Sequence, residues 1–379
     1  MPVYLDYNAS APIDSRVLEY MIEVYRHRIG NADSRTHYFG AEAKELVNAS
    51  RKGIANILNI DSSDLFFTSG ATESNNLAII GLLDYALSSG RTHLITTAIE
   101  HKSVIEAMHH MQEKGCQVDY VCPDSTGRIK PEQILNLVTD KTLMVSTMHV
   151  NSETGIIQPI KEIGDLLSGT DVLFHVDATQ GFGKLNSSLR ETKYDLMSFT
   201  AHKIGGPQGV GALVMKRNHV YRRPPIKPIM FGGQQERGFR PGTTPVALVA
   251  GFSYAAELCE KEAAEYFVAC QETKDKFIKA INGLKYVFNG DQSYCLPSTV
   301  NVSFDGIDAE GVFLALKDEY AISNGSACNS GSHKPSYVLA AMGLDEKRIS
   351  EAIRISWGAN TQADFSNLVE YVRSMTESI

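Results

Sequence analysis

Residues 172–181 read VLFHVDATQG. A run this apolar reads as a strand covered on both faces. It stops at Asp177, with Gln180 three positions further on. A carboxylate placed directly after LFHV is costly to bury unless a cation pairs with it. Runs of the same kind recur on either side: LFFTS (65–69), HLITTAI (93–99), TLMVSTMHV (142–150), DLMSFTA (195–201) and GALVMK (211–216). Helical patterns separate several of them, such as KSVIEAMHHMQEKG (102–115) and IKEIGDLLSG (160–169). That alternation predicts an α/β layered domain on a mostly parallel sheet.

Further along, a helical stretch near 245–282 is placed to bridge two domains. Beyond it, STVNVSFD (298–305) and AIRISW (352–357) predict strands packed with helices in a smaller C-terminal domain. A chain of 379 residues is long enough for two cores. With 43% hydrophobic and 21% charged residues it has the composition of a globular protein. A net charge of −8 gives no footprint for direct nucleic-acid binding or an anionic membrane. The basic segment YRRPPIK (221–227) reads as a solvated loop. No apolar run approaches the ~20 residues that span a bilayer, and MPVYLDYNASAP carries no secretory pattern. The six cysteines form no CxxC pair and no zinc spacing, so no metal site is expected. A reducing, cytoplasmic setting is the expectation, with Cys328 a free thiol.

In an open α/β sheet, ligands bind beyond the carboxyl ends of the strands. After LFFTS comes GATESNN, whose Gly70, Ala71 and Thr72 form a small-residue turn at a helix start, suited to a phosphate. Plain N-capping by Ser69 or Thr72 is the simpler explanation of that turn by itself. His101 follows HLITTAI, and a lone histidine is more often packing than chemistry. Asn151 follows TLMVSTMHV. DLMSFTAHKIGGPQGVG delivers Thr200, His202 and Lys203, and its glycines alone are a weak phosphate signal. Together these residues place an anion turn, a His, an Asn, an Asp, a Gln and a Lys at one rim. An acid for a ring nitrogen, a lysine and a phosphate cradle are what a pyridoxal 5'-phosphate site requires.

With these motifs in view, the chain resembles the pyridoxal-phosphate-dependent cysteine desulfurases, the NifS/IscS-like branch of the class V aminotransferase fold. The resemblance runs nearly end to end through YLDYNASAP, NADSRTHYFGAEA, TSGATESNNLAI, EHKSV, VNSETG, HVDATQGFGK, DLMSFTAHKIGGPQGVGAL, RPGTTP and SNGSACNSGSHKPSYVL. It implies the aspartate-aminotransferase-like transferase fold. A large cofactor-binding domain would span 14–255, and 1–13 with 256–379 would form a smaller α+β domain. By the same resemblance, Lys203 is the Schiff-base lysine, Asp177 pairs with the pyridinium nitrogen and His101 stacks on the ring. Asn151 and Gln180 would face the phenolic oxygen, with Asn151 also near the substrate. Ala71, Thr72, Thr200 and His202 would hold the phosphate. Thr243 would reach the phosphate of a neighbouring subunit, which implies a homodimer. Arg354 would clamp the substrate carboxylate with its planar fork. Thr200 and Pro241 stand where relatives commonly have serine. Trp357, Ala359 and Asn360 also depart from the usual pattern, and all three adjoin the clamp in sequence.

The segment SNGSACNSGSHKPS (323–336) surrounds Cys328 with Ser, Gly and Asn, where a structural cysteine keeps aliphatic neighbours. The resemblance makes Cys328 the nucleophile that takes sulfur from L-cysteine, leaving L-alanine, and passes the persulfide to an acceptor protein. A thiolate is the attacking form. Iron–sulfur cluster assembly or tRNA/DNA sulfur modification would be the destination. The alternative is another enzyme of the same cofactor and fold, such as a selenocysteine/cysteine lyase or an aminotransferase.

Overall fold

The computed structural model describes residues 2–218, 220–323 and 335–377. Strands β1 (Val3–Tyr4), β2 (Leu65–Thr68), β3 (His93–Thr97), β4 (Gln117–Val121), β5 (Thr142–Met148), β6 (Leu173–Asp177), β7 (Leu196–Thr200) and β8 (Gly211–Met215) are followed by β9 (Tyr286–Phe288), β10 (Thr299–Phe304), β11 (Tyr320–Ala321) and β12 (Ala352–Ser356). Seven of them form one sheet in the order β2-β8-β7-β6-β5-β3-β4. Pairs among β3, β4, β5, β6 and β7 are parallel, while β8 runs antiparallel to both β7 and β2. The sheet is therefore mixed but mostly parallel.

Alternate residues explain the continuous apolar runs. Phe67, Ile95, Val145, Met197 and Val214 join a core on one face. Their neighbours Phe66, Leu94, Met144, Leu196 and Leu213 join another core on the opposite face. Both faces are thus covered, as a sheet flanked by helices requires. Strand β4 is absent from the sequence reading. QVDYV leaves Gln117 exposed at the sheet edge, so only half of it needs apolar side chains. Strands β3 and β5 end earlier than their apolar runs, because residues 98–101 and 149–151 peel away to form the rim of the site.

The stretch near 245–282 is two helices, Val246–Lys261 and Ala263–Ala280, broken at Glu262. The first buries Val249, Phe252 and Ala256 in a core beside the large sheet. The second buries Cys270 and Phe277 in a separate core with β10 and β12. Strands β12, β10 and β9 form an antiparallel sheet. The N-terminus joins this second body: β1 pairs with β11, and Leu5 is buried there. On β12, Ile353, Ile355 and Trp357 face that core, so Arg354 and Ser356 face the other way. No helix among the described residues is long and apolar enough to cross a membrane.

Two side chains report on these bodies. Trp357, the only tryptophan, is fully buried beside Phe277 and donates its indole N–H to the Cys270 carbonyl at 3.0 Å. Trp357→Ala is expected to cost about 3–5 kcal/mol, measured by urea unfolding followed by circular dichroism. Glu100 ties β3 to β5: its Oε1 accepts from the Thr97 hydroxyl at 2.6 Å and the Met148 N–H at 2.8 Å. Burial raises its pKa from 4.5 to about 8. The unfolded chain releases this proton near the ordinary carboxylate value, whereas the folded chain keeps it. The stability from Glu100 is therefore complete below pH 4.5 and is lost as pH rises toward about 8. Glu100→Gln should flatten that decline in melting temperature across the same window.

Candidate active site

The parallel register aligns the strand ends. Met148 lies opposite Asp177, and Asp177 opposite Ser198. Thr200 and Thr68 both pair with Gly211, on either side of the reversed strand β8. A Cβ on Gly211 would lie 2.7 Å from the Gly70 Cα, so only glycine lets the turn before the helix Ala71–Ile80 pass so close. Gly70 itself holds φ 157° and ψ 178°, a conformation that side chains disfavour. Neither Ser69 nor Thr72 caps this helix: Gly70 occupies the cap position and no side chain caps it. The Thr200 hydroxyl lies 3.8 Å from where a Gly70 Cβ would stand. A helix start without a side-chain cap thus faces a hydroxyl across a small gap, an arrangement suited to an anion.

A cleft of about 600 Å³ opens over this rim. Ala71, Thr72, His101, Asp177, Gln180, Thr200, His202, Lys203 and Arg354 all line it, so nine of the residues expected at the site converge. Asn151 does not. Its Oδ1 accepts from the Glu153 and Thr154 N–H groups, and its Nδ2 donates to the Ile99 carbonyl. It shapes the turn after β5, and Ser152 and Glu153 supply the wall there. Thr243 is exposed outside this cleft. Its loop is gripped by Arg240 on Glu73 at 3.0 Å and by Arg51 on Glu236 at 2.6 and 2.7 Å. Cys328 lies outside the described residues. The flanks of its segment are at the cleft: Ser323 exchanges backbone hydrogen bonds with Arg354, Ser336 donates to Glu153 at 2.6 Å, and Tyr337 lines the wall.

Asp177 is buried and accepts from two neutral donors, Asn75 Nδ2 at 2.8 Å and the Thr179 N–H at 2.9 Å. Asn75 also donates to Ser103 Oγ, which lies 2.8 Å from His101 Nδ1. Behind Asp177, His175 bridges Ser146 and Ser198, and burial pushes its pKa down to about 4. It is neutral near pH 7 and offers Asp177 no counter-charge. Lys203 Nζ donates to the Asn8 and Ala9 carbonyls, both at 2.6 Å. Burial and the nearby Lys203 push His202 to about 4, so it is neutral too. On the far wall Arg354 meets Asp6 at 2.6 Å and the Ser152 carbonyl at 3.1 Å. Trp357, by contrast, points into the second core, and Ala359 and Asn360 line a different cavity. None of the three lines the cleft that Arg354 faces.

Asn75, Asn8 and Glu153 escaped the sequence reading. Asn75 carried a signal, since an asparagine ahead of LAII inside a helix is a poor helix former. Asn8 and Glu153 carried none, because their contacts join distant segments. The donor set suits pyridoxal phosphate: a pyridinium would supply the cation that Asp177 lacks, the uncapped helix start and the Thr200 hydroxyl would suit a phosphate, and Lys203 would offer an amine.

Residues 3–368 match the family described as Aminotransferase class-V. The cysteine desulfurase IscS of Pasteurella multocida (strain Pm70) is 40% identical over 378 residues, covering 99% of this chain and 92% of that protein. Among solved structures, DndA from Streptomyces lividans superposes with a TM-score of 0.82 at 42% identity, covering 91% of this chain and 97% of that one. SspA in complex with cysteine gives a TM-score of 0.83 at 34% identity, covering 95% of this chain and 100% of that one. The chain belongs to the class V aminotransferases, in their pyridoxal-phosphate-dependent cysteine desulfurase branch.

Proposed function

We propose that the chain takes sulfur from L-cysteine, releases L-alanine, and holds the sulfur as a persulfide on Cys328 for a sulfur-acceptor protein. One observation carries this reading. Lys203 and Arg354 open onto the same cleft, and the backbone of Ser323 is hydrogen-bonded to that of Arg354. From Ser323 the chain extends at most about 17 Å to Cys328. The solved SspA carries cysteine, which supports the choice of substrate.

Bound pyridoxal phosphate supplies an electron sink for charge left on the substrate α-carbon. Arg354 holds the substrate carboxylate by charge-assisted hydrogen bonds. Asp177 keeps the ring nitrogen protonated, His101 stacks on the ring, and Gln180 faces the phenolic oxygen. Asn151 supports that wall through its turn. Ala71, Thr72, Thr200 and His202 hold the phosphate. Lys203 Nζ takes up the α-proton and returns a proton to that carbon before alanine leaves. Between these two steps the Cys328 thiolate forms an S–S bond as the substrate C–S bond breaks. The electron pair of that bond stays on carbon, which takes a proton and becomes the methyl of alanine, while the sulfur leaves oxidised as persulfide.

In the same reading the chain is a homodimer, with the gripped, exposed loop of Thr243 reaching the partner's phosphate. Residues 14–255 form the large domain, and 1–13 with 256–379 the small one; two separate cores support two domains, although Ala256, Leu258 and Cys259 still pack on the large one, up to the helix break at Glu262. The setting is cytoplasmic, and the acceptor serves iron–sulfur cluster assembly or tRNA/DNA sulfur modification. Incubation with L-cysteine tests the chemistry. Cys328→Ala is expected to abolish alanine and sulfide while the yellow absorbance of the bound cofactor persists, and Lys203→Ala to lose that absorbance. Alanine release undiminished in Cys328→Ala would overturn the role of the thiol. Arg354→Ala is expected to raise KM for cysteine about tenfold or more, read from initial rates.

A further inference from the structure

Lys184 follows β6, and its ammonium donates to Gln180 Oε1 at 3.1 Å. On its other side, Gln180 Nε2 donates to the Asn8 carbonyl at 2.9 Å. The same carbonyl accepts from Lys203 Nζ at 2.6 Å. One hydrogen-bonded line therefore runs from Lys184 through Gln180 and Asn8 to Lys203.

The two ends of that line decide which way the amide points. An ammonium can only donate and a carbonyl can only accept. Between them Gln180 has a single satisfactory orientation, oxygen toward Lys184 and nitrogen toward the Asn8 carbonyl. Without Lys184 the oxygen end has no partner in this line and the amide is at liberty to turn.

Lys184 is a costly residue to keep at this place. Loss of water pushes its pKa down to about 8, and the groups that act on it electrostatically are two thiols, Cys270 and Cys259. Among the described residues no carboxylate forms an ion pair with it. It lines a second cavity, of about 690 Å³, that borders Lys203 from behind. A cation held there without a counter-charge costs stability, and an apolar residue of similar size costs less.

We propose that Lys184 is a positioning residue, which holds the Gln180 oxygen so that the amide N–H groups face the cleft. There they meet the phenolic oxygen of bound pyridoxal phosphate and steady the Asn8 carbonyl that receives Lys203. The inference rests on the reading of Gln180 given above. It adds a residue that touches neither cofactor nor substrate and acts through its neighbour.

The test is a double-mutant cycle on cofactor binding: Lys184→Met, Gln180→Leu and the pair, made in the full chain and stripped of cofactor. The readouts are the dissociation constant for pyridoxal phosphate and the visible absorption band of the bound cofactor. A melting curve of each cofactor-free variant controls for folding. Each single change is expected to weaken binding about tenfold and to move the band, and the double change to do no more than either. Lys184→Arg, which still donates, should retain both. Should Lys184→Met not fold, Lys184→Gln replaces it, because an amide that donates and accepts equally sets no orientation, and the same loss is expected. Binding and band unchanged in the Lys184 variant, with Gln180→Leu weakened, would overturn the inference. So would losses that multiply in the double variant. Unchanged binding in Gln180→Leu overturns it together with the role of Gln180, and leaves the sulfur chemistry to stand or fall on Cys328→Ala.

Discussion

A buried carboxylate met only by neutral donors dictates the shape of the site. Asp177 ends a strand covered on both faces, so water cannot compensate its charge. Asn75 and Thr179 satisfy its hydrogen bonds but not its charge, and the neutral His175 beneath it does not help. The remaining direction is the cleft, where a ligand cation can sit. Everything at the rim is arranged around that position. The helix Ala71–Ile80 passes overhead to deliver Asn75, and the same helix start presents its N–H groups to an anion. Ser103 links Asn75 to His101, so the ring above the cleft is fixed by the chain of bonds that fixes the acid below it.

Much of this was legible in the sequence because it depends on local pattern. Apolar runs of five to nine residues, separated by helical patterns, read as strands with two covered faces, and the polar residues just after them fall at a common rim. That logic located Asp177, His101, Thr200, His202 and Lys203 without any coordinates. It failed at β4, where an edge position lets polar residues into a strand. Asn151 sits at the rim too, with its Oδ1 held by its own turn and its Nδ2 by the Ile99 carbonyl.

The remainder was illegible for a different reason. Asn8 binds Lys203 and Gln180 through a backbone carbonyl, and every residue type has one. The pairing of Asp6 with Arg354, and of Asn8 with Ser356, joins segments nearly the whole chain apart. No periodicity announces such contacts. The same holds for Trp357, three residues past Arg354, whose side chain is buried in the second core and not at the clamp.

Segments 348 residues apart meet at the cleft, and this sets an order of events during synthesis. A nascent chain has the sheet and the anion turn once β8 has emerged, but Lys203 and Arg354 share a cleft only after β12 is made. Closing a loop of that span is the slow entropic step of such a topology. A cofactor-sized anion can thus find its cradle on a half-made protein, whereas the opposite wall of the cleft must wait until β12 has been made.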